Sequence, residues 1–206
     1  MTLRRVLIAT RNPGKLVELR PMLMPLGLEA IDLGEAGLEE RPEEEAIECF
    51  ATFEENALAK ARYFRERSGG LPVLAEDSGL EVRALGGRPG VRTKRWSGRT
   101  DLHGQDLDDA NNAALLASLE GVADRDARYV CVAALIDGEQ TRTARGETTG
   151  RILLAPRGRG GFGYDPLFES TELGVTFAEA GLEEKARVSH RGRAMRTLLA
   201  QLGAPR

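Results

Sequence analysis

The chain has 206 residues, with 29 basic against 32 acidic side chains, a formal net charge of −3 and 41% hydrophobic residues. That length suits one domain, or one domain with two lobes, and mixed charge with recurring apolar runs argues against disorder. The near balance of charge argues against a nucleic-acid partner, and two cysteines without CxxC spacing argue against a disulfide framework or a zinc site.

Val6 to Ala9 is a short apolar run ending in Thr10-Arg11-Asn12-Pro13-Gly14, the pattern of a buried strand entering a tight polar turn. Lys15 to Leu26 follows with Leu16, Leu19 and Leu23 at helical spacing, and Leu28 to Asp32 reads as a second strand. Residues 34 to 48 are acidic and read as a surface loop. Thr52-Phe53-Glu54-Glu55 is a capping-box pattern that opens a helix to about Ser68.

Pro72 to Ala75 and Leu80 to Val82 read as strands around a turn at Glu76-Asp77-Ser78-Gly79. A loop at Gly86 to Gly90 and a helix from Asp106 to Leu119 come next. Tyr129 to Ile136 reads as a strand, and Asp137-Gly138 is a hairpin signal into Gln140 to Gly146. Arg157 to Gly163 is a glycine-arginine loop, and Ser189 caps a last helix to about Leu202. The strand, turn and helix at the N-terminus predict an α/β protein. The N-terminal MTLRRVLIAT has no leader-like apolar core, and no stretch reaches the roughly 18 apolar residues of a membrane span, so a cytoplasmic protein without a membrane partner is expected.

Four clusters carry chemistry. In the first, Thr10 to Lys15 lies at a strand end and a helix start, where backbone N–H groups bind anions and a lysine adds positive charge; it equally suits an ordinary capped turn. In the second, Glu76 and Asp77 end an apolar strand before Ser78, and paired acids can bind Mg²⁺ or activate water. The third is Gly158 to Pro166, where glycines around Phe162 and Tyr164 let an aromatic ring stand clear for stacking on a flat base. The fourth joins Glu183-Glu184-Lys185 to Ser189-His190-Arg191-Gly192. Positive side chains at the start of a helix oppose its dipole, so a bound anion or a carbonyl-bearing ligand is expected to compensate them.

Together, the stretches ATRNPGKLVEL, TFEENALAKA, AEDSGLEVRALGGRPGV, GGFGYDPLF and FAEAGLEEKARVSHRGRA, between residues 9 and 194, resemble the inosine triphosphate pyrophosphatase family of noncanonical purine nucleoside triphosphate pyrophosphatases. The resemblance implies a twisted, elongated mixed β-sheet with flanking helices and two lobes around a central cleft, and a homodimer. It implies Mg²⁺-dependent hydrolysis of a purine nucleoside triphosphate (ITP, dITP or XTP) to the monophosphate and pyrophosphate.

Carried over by position, it makes Asp77 the metal-binding general base and Glu48 a second metal carboxylate. It places the triphosphate against the turn Thr10, Arg11, Asn12, Pro13, Gly14 and Lys15. Ser78, Phe162, Gly163, Tyr164, Asp165, Lys185, His190 and Arg191 become the remaining nucleotide contacts. Donors on His190 and Arg191 suit the O6 acceptor of hypoxanthine and xanthine.

The chain departs from the family's pattern at Cys49-Phe50, with Glu45 as an alternative to Glu48; at Glu76, where Asp is commoner; and over Val91 to Trp96. A Maf-like pyrophosphatase of other base preference and an inactive nucleotide-binding module are the competing readings. Only four basic residues are lysine, and Lys15 and Lys185 fall inside the motifs, whereas Lys60 and Lys94 do not. Lys15→Arg is therefore expected to impair turnover more than Lys60→Arg.

Overall fold

The computed structural model describes residues 4–203. Met1 to Leu3, the start of the segment read for a leader, lie outside them.

Among the described residues six strands and five α-helices follow in the order β1 (Arg4–Ile8), α1 (Pro13–Leu23), β2 (Leu28–Ile31), α2 (Phe53–Arg67), β3 (Val73–Val82), α3 (Gly104–Ser118), β4 (Asp126–Asp137), β5 (Gln140–Ile152), β6 (Phe168–Ser170), α4 (Leu182–Val188) and α5 (His190–Gly203). The strand order is β2-β1-β3-β4-β5-β6. β1 pairs in parallel with β2 and β3, and β5 pairs antiparallel with β6, so the sheet is mixed and the α/β class expected from the sequence is borne out.

The chain divides into two compact units. The first takes the residues up to Asp77, Cys131–Gly146 and those from Arg191 onward; the second takes Ser78–Val130 and Glu147–His190. β3, β4 and β5 each contribute residues to both. The core of the first unit packs Val6, Ile8, Leu19, Leu23 and Leu74 with Cys131, Ala133, Met195 and Leu198. That of the second packs Leu80, Val82, Leu115, Tyr129, Ile152, Tyr164, Phe168 and Phe177.

Three expectations change. The turn at Glu76 to Gly79 does not exist: β3 runs unbroken through it, and nine of its ten residues are buried. Local polarity reads as a turn, but tertiary partners satisfy these side chains, so the backbone stays in the ladder. β5 continues past Gly146 to Ile152, its burial alternating from Ala144 onward, and β6 adds a strand at Phe168–Ser170. The acidic loop contains a 3-10 turn, Pro42–Ala46, just before Glu48.

Candidate active site

In the first unit β1 delivers the chain into the turn before α1. Asn12 caps α1: its Oδ1 accepts from the Lys15 N–H at 3.2 Å, and its own N–H donates to Thr10 Oγ1 at 3.1 Å. Pro13 and Gly14 complete the first turn, where proline's fixed φ suits a helix start. Thr10 and Asn12 thus have a local structural task, which sets Lys15 one turn into the helix. Lys15 Nζ lies 2.5 Å from Glu76 Oε1.

Arg11 is engaged elsewhere than the sequence suggested. Its guanidinium donates to both carboxylate oxygens of Glu44, at 3.0 and 2.9 Å, and its centre lies 5.9 Å from the Phe64 ring. Arg67 donates to the same carboxylate at 2.5 Å. This pairing fastens the 3-10 turn that precedes Glu48.

Glu76 and Asp77 do not act as a pair, because successive strand side chains leave on opposite faces. Glu76 meets Lys15, accepts from Cys131 Sγ at 3.2 Å, and lies 3.6 Å from Arg191 Nη2. Burial opposes its charge, yet Lys15, Arg191 and Lys60 hold its carboxyl well below the usual range. Asp77 Oδ2 instead accepts from Asn56 Nδ2 at 2.9 Å, and Asn56 Oδ1 accepts from the Phe50 N–H at 2.9 Å. Burial, then the Glu48 carboxylate, push the Asp77 carboxyl up to about 6, against the pull of Lys60, Lys15 and Asn56.

Lys60 belongs to this cluster, contrary to the reading that placed it outside. It is buried, ion-paired with Glu48, and donates to the Glu76 carbonyl at 3.0 Å. Burial lowers its proton affinity, but Glu48, Asp77 and Glu76 raise it further, so it is charged. Lys60 and Asn56 are the residues that sequence reasoning missed. Their signal was present: both stand on the buried face of α2, where a lysine and an asparagine need partners.

Among the described residues no group of three or more His, Cys, Asp or Glu side chains is arranged to hold a metal ion. Glu48 and Asp77 nonetheless fit Mg²⁺, which takes one or two carboxylates and completes its shell with phosphate oxygens and water. Their mutual repulsion is the observation that favours a cation there. Glu45, the alternative, is exposed, whereas Glu48 is the one paired with Lys60.

Arg191 is 2% exposed and its compensation is internal. Its Nη1 donates to Glu18 Oε2 at 2.5 Å, and Glu76 stands beyond. Burial opposes its charge, but Glu76 and Glu18 raise its proton affinity. A bound anion is not needed to explain it, and Glu18, 173 residues away in the chain, could not be foreseen.

The second unit holds the aromatic set. His190, 3% exposed, stacks on Tyr129 with ring centres 4.6 Å apart and planes 9° from parallel. Tyr164 does not stand clear: it is buried in the core and its hydroxyl donates to the Thr93 carbonyl at 2.8 Å. Burial raises that phenol well above its ordinary value, so it remains neutral. Phe162 is half-buried, which leaves it the ring with an accessible part.

Lys185 is buried, 2.5 Å from Asp165 Oδ2, with its Nζ 5.1 Å from the Phe162 ring centre and 5.4 Å from that of Phe177. It is placed as a support under the loop. Asp165 Oδ2 also accepts from the Phe162 N–H at 3.0 Å. Gly161 must be glycine: its φ is +72°, and a Cβ there would sit 2.0 Å from Asp165 Oδ2. Ser78, buried, opens this unit next to Asp77.

Residues 6–201 match the model of the Ham1 family. A dITP/XTP pyrophosphatase of Thermus thermophilus is 50% identical over 95% of this chain and 90% of its own. One of Nocardia farcinica is 50% identical over 99% and 97%. Among solved structures, a HAM1 protein from Coxiella burnetii superposes with a TM-score of 0.81 at 34% identity, covering 96% of this chain and 98% of its own.

Proposed function

The chain belongs to the Ham1 family, and from that premise we propose that it hydrolyses the noncanonical purine nucleoside triphosphates dITP, XTP and ITP to the monophosphate and pyrophosphate. The observation that carries the reading is Asp77: a buried carboxylate with proton affinity near neutrality, oriented by Asn56 and flanked by Glu48, Lys60 and Lys15.

The turn before α1 presents backbone N–H groups and the Lys15 ammonium, which suit the negative charge of a triphosphate. Glu48 and Asp77 would hold Mg²⁺ with the phosphate oxygens; when bound, the ion neutralises charge that builds on those oxygens. Asp77 takes the proton of the attacking water, a task for which a group titrating near the working pH is suited. Asn56 fixes the rotamer of Asp77, so its Oδ atoms need not reorient during the reaction. Lys60 keeps Glu48 and Glu76 ionised and so preserves the field in which Asp77 works. Phe162 offers a face for the purine, and the buried pair Lys185–Asp165 holds it in place.

The test is a nucleotide panel with Mg²⁺. ITP, dITP and XTP should yield pyrophosphate and monophosphate, with ATP, GTP and the pyrimidine triphosphates turned over far more slowly. No pyrophosphate from any of the three overturns the reading; pyrimidine preference would instead favour a Maf-like activity. Among the described residues no helix is long and apolar enough to cross a membrane. A cytoplasmic location and a homodimer, expected from the resemblance, are part of the proposal. Light scattering of the purified protein tests the second: a mass near 22.4 kDa would reject it.

A further inference from the structure

Helix α3 does more than cover a core. Leu107 and Leu115 are its buried apolar face, yet its polar residues Asp108, Asn111 and Asn112 turn back onto the loops beside it. Asp108 Oδ2 accepts from the Gly163 N–H at 2.7 Å, and Asn112 Nδ2 donates to the Gly163 carbonyl at 2.9 Å. Four residues apart, the two side chains stand one helical turn from each other on one face. Asn111 serves the segment before the helix, accepting from the Ser97 N–H at 2.8 Å and donating to the Lys94 carbonyl at 3.1 Å. Tyr164 joins the two sets through Thr93.

Gly163 has φ +63° and open space where a Cβ would stand, so no side-chain packing of its own holds it there. Glycine is the residue that loses most freedom on ordering. It lies next to Phe162, the ring with an accessible part. Fixing both peptides that flank its Cα fixes φ and ψ together, and so the direction in which Phe162 leaves the backbone. A ligand stacking on Phe162 then meets a loop that is already ordered.

We propose that Asp108 and Asn112 are positioning residues for the purine, acting through Gly163 to hold Phe162 in its stacking position. This deepens the pyrophosphatase reading and rests on it. Burial raises the Asp108 carboxyl from its ordinary value, and the Gly163 N–H bond pulls it back towards the ionised form, the better acceptor.

The experiment compares wild type with Asp108→Ala, Asn112→Ala and Asp108→Asn, reading steady-state ITP hydrolysis and hydrogen exchange of the Gly163 amide. Each alanine variant should raise KM for ITP about tenfold, the scale of one charge-assisted hydrogen bond, with kcat within about twofold. Asp108→Ala should also speed Gly163 exchange. Asp108→Asn, whose amide oxygen can still accept, should recover most of both. A thermal melt shows that the variants are folded. Unchanged KM in a wild type and variant that both turn over ITP overturns the proposal, as does unchanged exchange, or a fall in kcat alone. A wild type inactive on ITP, dITP and XTP, with Gly163 exchange still governed by Asp108, overturns the pyrophosphatase reading and the positioning role with it, and is recognisably a different failure.

Discussion

In the first unit the reactive side chains sit among other charges; in the second the groups assigned to the base are held by rings and by bonds to the backbone. Around Asp77, the cations Lys15, Lys60 and Arg191 face the carboxylates Glu18, Glu48 and Glu76; all but Lys15 and Glu48 are buried. Around Phe162 the buried ion pair Lys185–Asp165 is set among Phe162, Phe177, Tyr129 and His190. Phosphate chemistry needs charge that can move a proton, and a charged network transmits the loss of any member. Recognition of a flat base needs shape, and packing spreads a loss over many contacts.

The largest effect that would break this contrast is at Asp77. Asp77→Asn should lower kcat by about 10²–10⁴-fold, the usual worth of a general base, while leaving the fold intact. Its stability should move the other way. A carboxyl raised from 3.8 to about 6 adds stability below pH 3.8 and loses it as pH rises through about 6. The ionised group therefore costs on the order of 3 kcal/mol at pH 8, and the asparagine variant should melt higher than wild type there but not at pH 4. A variant that melts lower at pH 8 would mean that the charge network stabilises Asp77 more than burial penalises it.

Next is Lys60→Met, which leaves the half-buried Glu48 beside Asp77 without its cation. The Glu48 side chain is 31% exposed, so the loss should fall below the roughly 3–5 kcal/mol of a fully buried pair. Urea unfolding at pH 7 measures it; a cost under about 1 kcal/mol would show that Glu48 turns to solvent when released. Lys60→Arg should impair turnover about as much as Lys15→Arg, since both lysines reach into one cluster. The acid limb of kcat/KM in the wild type should fall below pH about 6, as Asp77 gains its proton. In Lys60→Met that limb should move to higher pH, because Lys60 favours the ionised form.

The smallest effect is expected in the second unit. Tyr164→Phe removes one hydroxyl bond and keeps the ring in the core, and should cost about 1 kcal/mol with the same value at low and high salt. A strong salt dependence there would erase the distinction between the two regions.

What the sequence revealed follows from distance along the chain. The Thr52 cap and the turn before α1 depend on neighbours within four residues, and both form as read, with Thr52 Oγ1 accepting from the Glu55 N–H. The strand ending in two acids was legible as a site, but its continuation was not. The partners that keep Glu76 and Asp77 in a strand are Lys15, Cys131, Arg191 and Asn56, from α1, β4, α5 and α2. Arg191 was legible as an anomaly, a cation at a helix start. Its answer, Glu18, was invisible because only folding brings α1 to α5. Asn111 lay in plain view between Leu107 and Leu115 at helical spacing, a polar residue in an apolar stripe.

The two cysteines give the molecule a built-in stopwatch. Cys49 is exposed on the segment beside Glu48; Cys131 is buried against Glu76, with its thiol raised well above the ordinary range first by burial and then by that carboxylate. A thiol reagent should therefore mark Cys49 at mixing and wait for Cys131 until the core under Glu76 opens. The interval between the two is a direct readout of how often the charged floor of the site comes apart, in the unmodified chain and without any reporter added.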